Sequence, residues 1–237
     1  MIQLELKREG YSPNQKGQIE MNYAVVDTEA ANCHKIDGKL DTKNAQVYDC
    51  GVWIIDENGE KKEHISMVNK DVFFGMREAM SEAYYADHIP QYMRNIWDKK
   101  CEVVDTWGMW RKFVDLCKKW DVQGIIAHNA YFDKTALNAT IRYQTKSKKR
   151  YFLPYGIPII DTMRLAQQTI CKSDEYITFC EENGYMTNHA TPRPRATAEV
   201  LWRFLTNNKE FCEEHTGLAD AEIEAAIFVE CRKYGVE

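Results

Sequence analysis

A β-hairpin is the strongest local constraint on what this chain can fold into. Val47 to Asp56 reads as a strand, Glu57-Asn58-Gly59 as a turn and Lys61 to Val68 as a second strand. An Asn-Gly step supplies the positive φ angles of a tight turn, so the two runs must pair antiparallel. Upstream, Ile2 to Leu6 and Met21 to Val26 read as further short strands. Downstream the pattern changes period. Phe74 to Ala86 and Trp107 to Trp120 read as helices, the second with Trp110, Phe113, Val114, Cys117 and Trp120 at helical spacing. A strand over Val122 to Ala127, a helix over Tyr131 to Arg142 and a strand over Ile157 to Ile160 follow, with Asp161 placed to cap a helix from Thr162. Helices near Asp174 to Asn183, Arg195 to Asn207 and Gly217 to Lys233 complete the chain. An antiparallel pair followed by strands alternating with helices predicts an α/β fold: a mixed β-sheet flanked by helices on both faces. At 237 residues, one domain accommodates all of it.

Charge and cysteine usage exclude several functions. Lys and Arg total 31 against 36 Asp and Glu, a net charge of −5. A bulk cationic field for nucleic acid is therefore absent, and any such binding needs local basic patches or metal ions in an acidic site. No stretch approaches 18 consecutive apolar residues, so no membrane span is expected. The N-terminus lacks a signal-peptide core, and the eight cysteines include no Cys-x-x-Cys pair, which points to reduced thiols in a cytoplasmic protein.

Acidic residues stand where strands end and helices begin. Asp27-Thr28-Glu29 closes the run Tyr-Ala-Val-Val. Side chains alternate along a strand, so Asp27 and Glu29 share one side and Thr28 takes the other. Two like charges about 4 Å apart cost about 4 kcal/mol at an effective dielectric of about 20, and divalent cations with a taste for hard oxygen ligands offset that. Taken alone, the pair is as well explained by a solvated strand terminus. In Ile125-Ile126-Ala127-His128-Asn129-Ala130-Tyr131-Phe132-Asp133, an apolar strand runs through a polar loop to an acid in the first turn of a helix. Favourable interaction with the helix macrodipole suffices to explain Asp133 alone. His215-Thr216-Gly217-Leu218-Ala219-Asp220 is the third element. Five helical residues turn about 500°, so His215 shares a site with Asp220 only if it stands in the loop before the helix.

Together, D-x-E, H-N-x-x-F-D and H-x4-D in this order resemble the DEDDh (DnaQ-like) family of 3′–5′ exonucleases, over roughly Tyr23 to Arg232. The resemblance implies a ribonuclease-H-like fold and metal-dependent hydrolysis of single-stranded DNA or RNA from the 3′ end to nucleoside 5′-monophosphates. It implies that Asp27, Glu29, Asp133 and Asp220 hold two Mg²⁺ or Mn²⁺ ions, Asp27 bridging both, with His215 as general base. His189 is a poorer match, because Pro194 stands five residues after it, and no Tyr-x3-Asp of the tyrosine-based sister family exists among Tyr176 and Tyr185. Thr28, Asn129 and Phe132, inside the matching motifs, are expected beside the substrate. So are Lys148, Lys149 and Arg150, in a basic run interleaved with Tyr143, Tyr151 and Phe152 that suits a single strand. Thr191-Pro-Arg-Pro-Arg195 is a second, stiffer basic loop, inside a stretch of about 185–213 expected as an insertion over the active-site face of a single 1–237 domain. The alternatives are a non-catalytic nucleic-acid-binding module on the same fold and a proofreading subunit of a polymerase; neither a polymerase partner nor a homodimer leaves a mark in the sequence.

Overall fold

The computed structural model describes residues 21–31, 34–36, 39–41 and 43–234, and the expected strand Ile2 to Leu6 lies outside them. The sheet is built from β1 (Asn22–Ala31), β4 (Gln46–Asp56), β5 (Lys61–Asn69), β6 (Glu102–Val104), β7 (Val122–Ala127) and β8 (Ile159–Asp161). Its order is β6-β5-β4-β1-β7-β8. A separate two-stranded ribbon joins β2 (His34–Ile36) to β3 (Lys39–Asp41). β1 runs antiparallel to β4, with Asn22 opposite Asp56 and Asp27 opposite Gly51, and parallel to β7. β4 and β5 form the predicted hairpin: Gly59 takes φ +84°, and the Asp56 carboxylate accepts hydrogen bonds from the Asn58 and Glu60 amides at 2.8 and 2.9 Å.

The helices are α1 (Lys70–Phe73), α2 (Arg77–Ser81), α3 (Ile89–Trp97), α4 (Thr106–Lys119), α5 (Tyr131–Thr145), α6 (Thr162–Gln168), α7 (Asp174–Glu182), α8 (Ala198–Thr206) and α9 (Gly217–Lys233). Alternation along β1 sorts them into layers. Ala24 and Val26 pack with Met109 and Phe113 of α4 and with Leu137 and Ile141 of α5. Tyr23 and Val25 pack on the opposite face with Ala221, Ala225 and Phe228 of α9. The outer side of α9, through Ile223, Ile227 and Cys231, meets Tyr176 of α7 and Leu201 of α8. Because α9 is covered on both sides, its buried residues run around the helix rather than along one stripe.

Three local differences from the sequence expectation have physical causes. Of the helix expected over Phe74 to Ala86 only α2 forms, with α1 ending just before the span and a 3-10 turn at Ala86–His88 starting at its end. At Gly75, which divides the first two, a Cβ would stand 2.2 Å from the Asp71 carbonyl oxygen. α8 starts at Ala198 rather than Arg195, since the Arg195 amide is bonded to the Tyr185 carbonyl and the Arg195 and Ala196 carbonyls accept from Tyr176 and His128 instead of from a helix. The short edge strand β6 and the helix α3 were not foreseen: β6 is half-exposed and its three residues carry no alternation.

α9 reaches the sheet only because two glycines face each other. A Cβ on Gly51 would stand 2.0 Å from the Leu218 nitrogen, and one on Gly217 would stand 2.7 Å from the Asp27 carbonyl oxygen. Neither neighbour is a side chain that can swing away. Gly51→Ala is therefore expected to push the start of α9 off the sheet and to lower unfolding free energy by at least the ~1–3 kcal/mol typical of overpacking. Urea denaturation measures it, and an unchanged midpoint would contradict so close a contact.

Candidate active site

The strand that sorts the layers also aims the acids. Continuing the alternation of Tyr23 and Val25, Asp27 and Glu29 lie on the α9 face of β1. Thr28 points to the opposite face, where its hydroxyl donates to the Asp133 Oδ1 at 2.8 Å. Thr28, expected beside a substrate, is buried, holds Asp133 in place and lines the cleft cavity. Asp133 stands in the first turn of α5, where the positive end of the helix faces it. α9 contributes Asp220 one turn from its start, with the Asp220 amide bonded to the Thr216 carbonyl at 3.0 Å.

His215 stands in the loop before α9, as the helical geometry requires. Its φ of +52° turns the chain so that the imidazole enters the cleft while Thr216 takes the cap position. Ligand atoms of Glu29, His215 and Asp220 all lie within 4.8 Å of one another. Asp27 and Asp133 line the same cavity of about 470 Å³, together with Asn129 and Phe132. The cleft thus gathers every expected acid and the expected histidine, although the tightest trio includes His215 and not Asp27.

Burial and mutual repulsion hold these carboxyls in the protonated direction. The Asp27 pKa is raised well above the ordinary value, first by burial and then by Glu224, Asp133, Glu29 and Asp220. Glu29 is raised by burial and by Asp220 and Asp49. Burial pushes Asp133 up to about 7 against the opposing Thr28 hydrogen bond, and burial with Glu213 pushes Asp220 up to about 8. His215 is lowered, first by burial and then by the neighbouring His88. Tyr85 stacks on the His215 ring with centroids 4.1 Å apart, and both line the cleft with the exposed Tyr84.

Four participants were not foreseen in the sequence. Glu224 lies one turn beyond Asp220 on α9, and its carboxylate is buried beneath the cleft with Oε2 unpartnered. Its signal was available, since an acid four residues after Asp220 inside the Ile-Glu-Ala-Ala-Ile run shares the buried face. Asp49 on β4 is opposite Glu29; its Oδ2 accepts from the Gly217 amide at 2.8 Å and from the Tyr92 hydroxyl at 2.7 Å. Nothing local in Tyr-Asp-Cys announces that role. His128, the first residue of its motif, bridges Thr162 Oγ1 at 2.9 Å and the Ala196 carbonyl at 2.7 Å. The pair Tyr84-Tyr85 was absorbed into an expected helix.

The basic run Lys148, Lys149 and Arg150 does not line the acidic cleft. It follows the far end of α5, and the chain then folds back along that helix: the Phe152 amide donates to the Asn138 Oδ1 at 2.8 Å, and Arg150 shares a cavity with Tyr131 and Lys134 at the start of α5. The Lys149 ammonium sits 3.9 Å from the Trp110 ring centroid, and the run lines a further cavity with Tyr155. Asp161, by contrast, caps α6 as expected, its Oδ1 accepting from the Met163 and Arg164 amides.

The raised carboxyls make a stability prediction. A carboxyl that binds its proton more tightly when folded contributes stability that is fully present below the unfolded pKa near 4 and is lost as pH rises through the folded value. With Asp133 near 7 and Asp220 near 8, the metal-free protein should lose thermal stability steadily from about pH 4 to about pH 8. Mg²⁺ or Mn²⁺ should reduce the loss. A melting temperature indifferent to pH over that window in EDTA would show that the acids do not crowd one another.

No protein-family profile and no curated protein sequence matches the chain. Solved structures do match in shape. The nuclease domain of 3′hExo, described as a DEDDh family member bound to rAMP, superposes with a TM-score of 0.54 at 13% identity, covering 91% of this chain and 94% of that one. A 3′-exonuclease described with a histone mRNA stem-loop superposes at 0.57 and 12% identity, over 93% of this chain and 85% of that one. E. coli ExoI, in a complex with single-stranded DNA, superposes at 0.55 and 14% identity, over 91% of this chain but 41% of its own length. The six-stranded mixed sheet with helices on both faces is the ribonuclease-H-like fold that these DEDDh exonuclease domains share.

Proposed function

We propose that this chain is a metal-dependent 3′–5′ exonuclease that hydrolyses the terminal phosphodiester of single-stranded DNA or RNA and releases nucleoside 5′-monophosphates. One observation carries the reading: acids from three separate segments, Asp27 with Glu29, Asp133 and Asp220, converge with His215 on one cleft. The nuclease folds that the chain resembles support it.

The donor set fits divalent ions of the Mg²⁺ or Mn²⁺ kind. Carboxylate oxygens dominate it, Asp220 Oδ1 and Glu224 Oε2 are buried without a partner, and repulsion among the acids leaves a deficit of positive charge. Asp27, Glu29, Asp133 and Asp220 would hold the ions. Bound there, the ions would supply charge neutralisation at the phosphate and acidify an attacking water. His215 takes that water's proton: its lowered pKa keeps the imidazole neutral and able to accept at physiological pH. Stacking on Tyr85 fixes the ring plane, and Glu213 Oε2, 3.9 Å from Nδ1, lies on the side where positive charge then develops. Phe132 and the exposed Tyr84 offer apolar and aromatic surface at the cleft for the terminal base.

Asp27→Ala should lower turnover of a 3′-labelled oligonucleotide by orders of magnitude while the fold persists, and EDTA should abolish wild-type activity. Near-normal hydrolysis in either case would refute a metal-dependent site. A circular single strand should resist, because it has no 3′ end.

His215→Ala should cut single-turnover hydrolysis by about 10²–10⁴-fold, the usual contribution of a positioned base. In the wild type, at saturating metal, the acid limb of the rate profile should fall below the ordinary histidine value of about 6.5. A limb at or above that value would assign the proton to another group.

The basic run lines cavities apart from the acidic cleft and should matter more to long strands than to short ones. Neutralising Lys148, Lys149 and Arg150 together should weaken binding of a decanucleotide more than that of a dinucleotide, as measured by titration calorimetry. Equal weakening of both would place the run at the cleft itself.

A further inference from the structure

A second cavity, of about 820 Å³, adjoins the acidic cleft and has the opposite charge. Among the described residues, Lys172, His189, Arg193 and Arg195 line it and no Asp, Glu, Phe, Tyr or Trp does. In a chain of net charge −5 that is a marked local reversal. Among the described residues, Lys172, Arg193 and Arg195 have no carboxylate partner.

The two arginines are held rather than loose. Pro192 and Pro194 fix φ on either side of Arg193 and keep the residues before them extended. Pro194 bridges to Met186, the Thr187 amide donates to the Arg193 carbonyl at 2.8 Å, and the Arg193 amide donates to the Thr187 hydroxyl at 3.0 Å. The Tyr176 hydroxyl donates to the Arg195 carbonyl at 2.5 Å, and the His128 Nε2 donates to the Ala196 carbonyl at 2.7 Å. Residues two apart on an extended chain project to the same side, about 6.6 Å from one another. Arg193 and Arg195 therefore present two guanidinium forks side by side into one cavity, on the scale of successive phosphates along a strand.

The cavities also share a wall. Thr197 and Ala198 line the acidic cleft, and Arg195 and Ala196 line the basic one. On α6, Met163 faces the first and Gln167 the second, four residues apart and so neighbours on one helix face. We propose that the basic cavity binds the sugar-phosphate backbone of the substrate strand just upstream of its 3′ terminus, with Arg193 and Arg195 each engaging a phosphate. With no Phe, Tyr or Trp among the described residues that line it, the cavity suits phosphates rather than stacked bases, indifferent to sequence. Arginine suits it because its planar fork matches phosphate oxygens. The proposal rests on the reading of the acidic cleft as the place where the terminal phosphodiester sits.

The test is direct binding of fluorescein-labelled decathymidylate by anisotropy in Mg²⁺, on the full chain carrying Asp27→Asn so that the strand stays intact. Adding Arg193→Gln and Arg195→Gln should weaken binding and flatten the slope of log K against log[salt] by about 1.4, two phosphates at about 0.7 each. On the chain with Asp27 intact, the same pair should lower kcat/KM for the decamer more than for a dinucleotide. An unaltered salt slope, or no decamer binding without the arginine changes, would overturn the proposal. If the slope flattens but the chain with Asp27 intact hydrolyses no phosphodiester, the exonuclease reading falls and the phosphate site stands. If hydrolysis proceeds and the slope is unaltered, the reverse holds.

Discussion

Everything at the candidate site depends on how closely α9 can approach the sheet. Gly51 on β4 and Gly217 at the start of α9 remove the Cβ atoms that would keep the two backbones apart. Asp49 then fastens the contact: its buried carboxylate accepts the Gly217 amide, one of the donors that the first turn of a helix leaves unpaired. The Tyr92 hydroxyl takes the same oxygen, so α3 is tied to the joint as well. Asp220 lands over the D-x-E strand because its helix begins there, and His215 enters the cleft because its residue takes a positive φ immediately before. The arrangement of the cleft is thus fixed by backbone proximity, and the acids themselves oppose it.

That opposition has a direction. Asp27, Glu29, Asp133, Asp220 and Glu224 all titrate above their ordinary values, with burial the first cause and one another's charge the next. Among the described residues, no arginine or lysine lines the cleft to relieve them. A fold that selected only for stability would place a cation or an apolar residue among these groups. The apolar clusters on both faces of β1 supply the rigidity that keeps the acids together.

Much of this was legible because each motif sits on an element whose pattern is strong. β7 and α9 have the predicted limits, the hairpin turns at Asn58-Gly59, and Asp161 caps α6. These elements deliver Asp27, Glu29, Asp133, His215 and Asp220 to one place. What could not be read was lateral. Asp49 matters through a strand pairing and a helix docking onto it, and neither leaves a local trace. The basic run after α5 lines cavities of its own, one of them shared with Tyr131 and Lys134 at the start of α5, and this return of the chain along the helix leaves no local trace either. Tyr84 and Tyr85 fall inside the stretch that reads as helix, whereas α2 ends at Ser81 and the chain turns there, with the Ala83 amide bonded to the Met80 carbonyl.

Net charge misled in the same way, since it averages over surfaces that never meet. The acidic cleft and the basic cavity are separated only by the segment Arg195 to Ala198, and His128 holds that segment by the Ala196 carbonyl. His128 is buried, with its pKa lowered by burial, and its Nε2 proton is committed to that carbonyl. Its contact with Thr162 ties the same ring to the start of α6, whose Met163 and Gln167 face the two cavities in turn. The histidine that opens the second motif is thus a hinge pin between opposite fields. A polyanion repelled by the cleft at long range has, one helical turn away, a surface that attracts it, and the distance between the two is set by one imidazole.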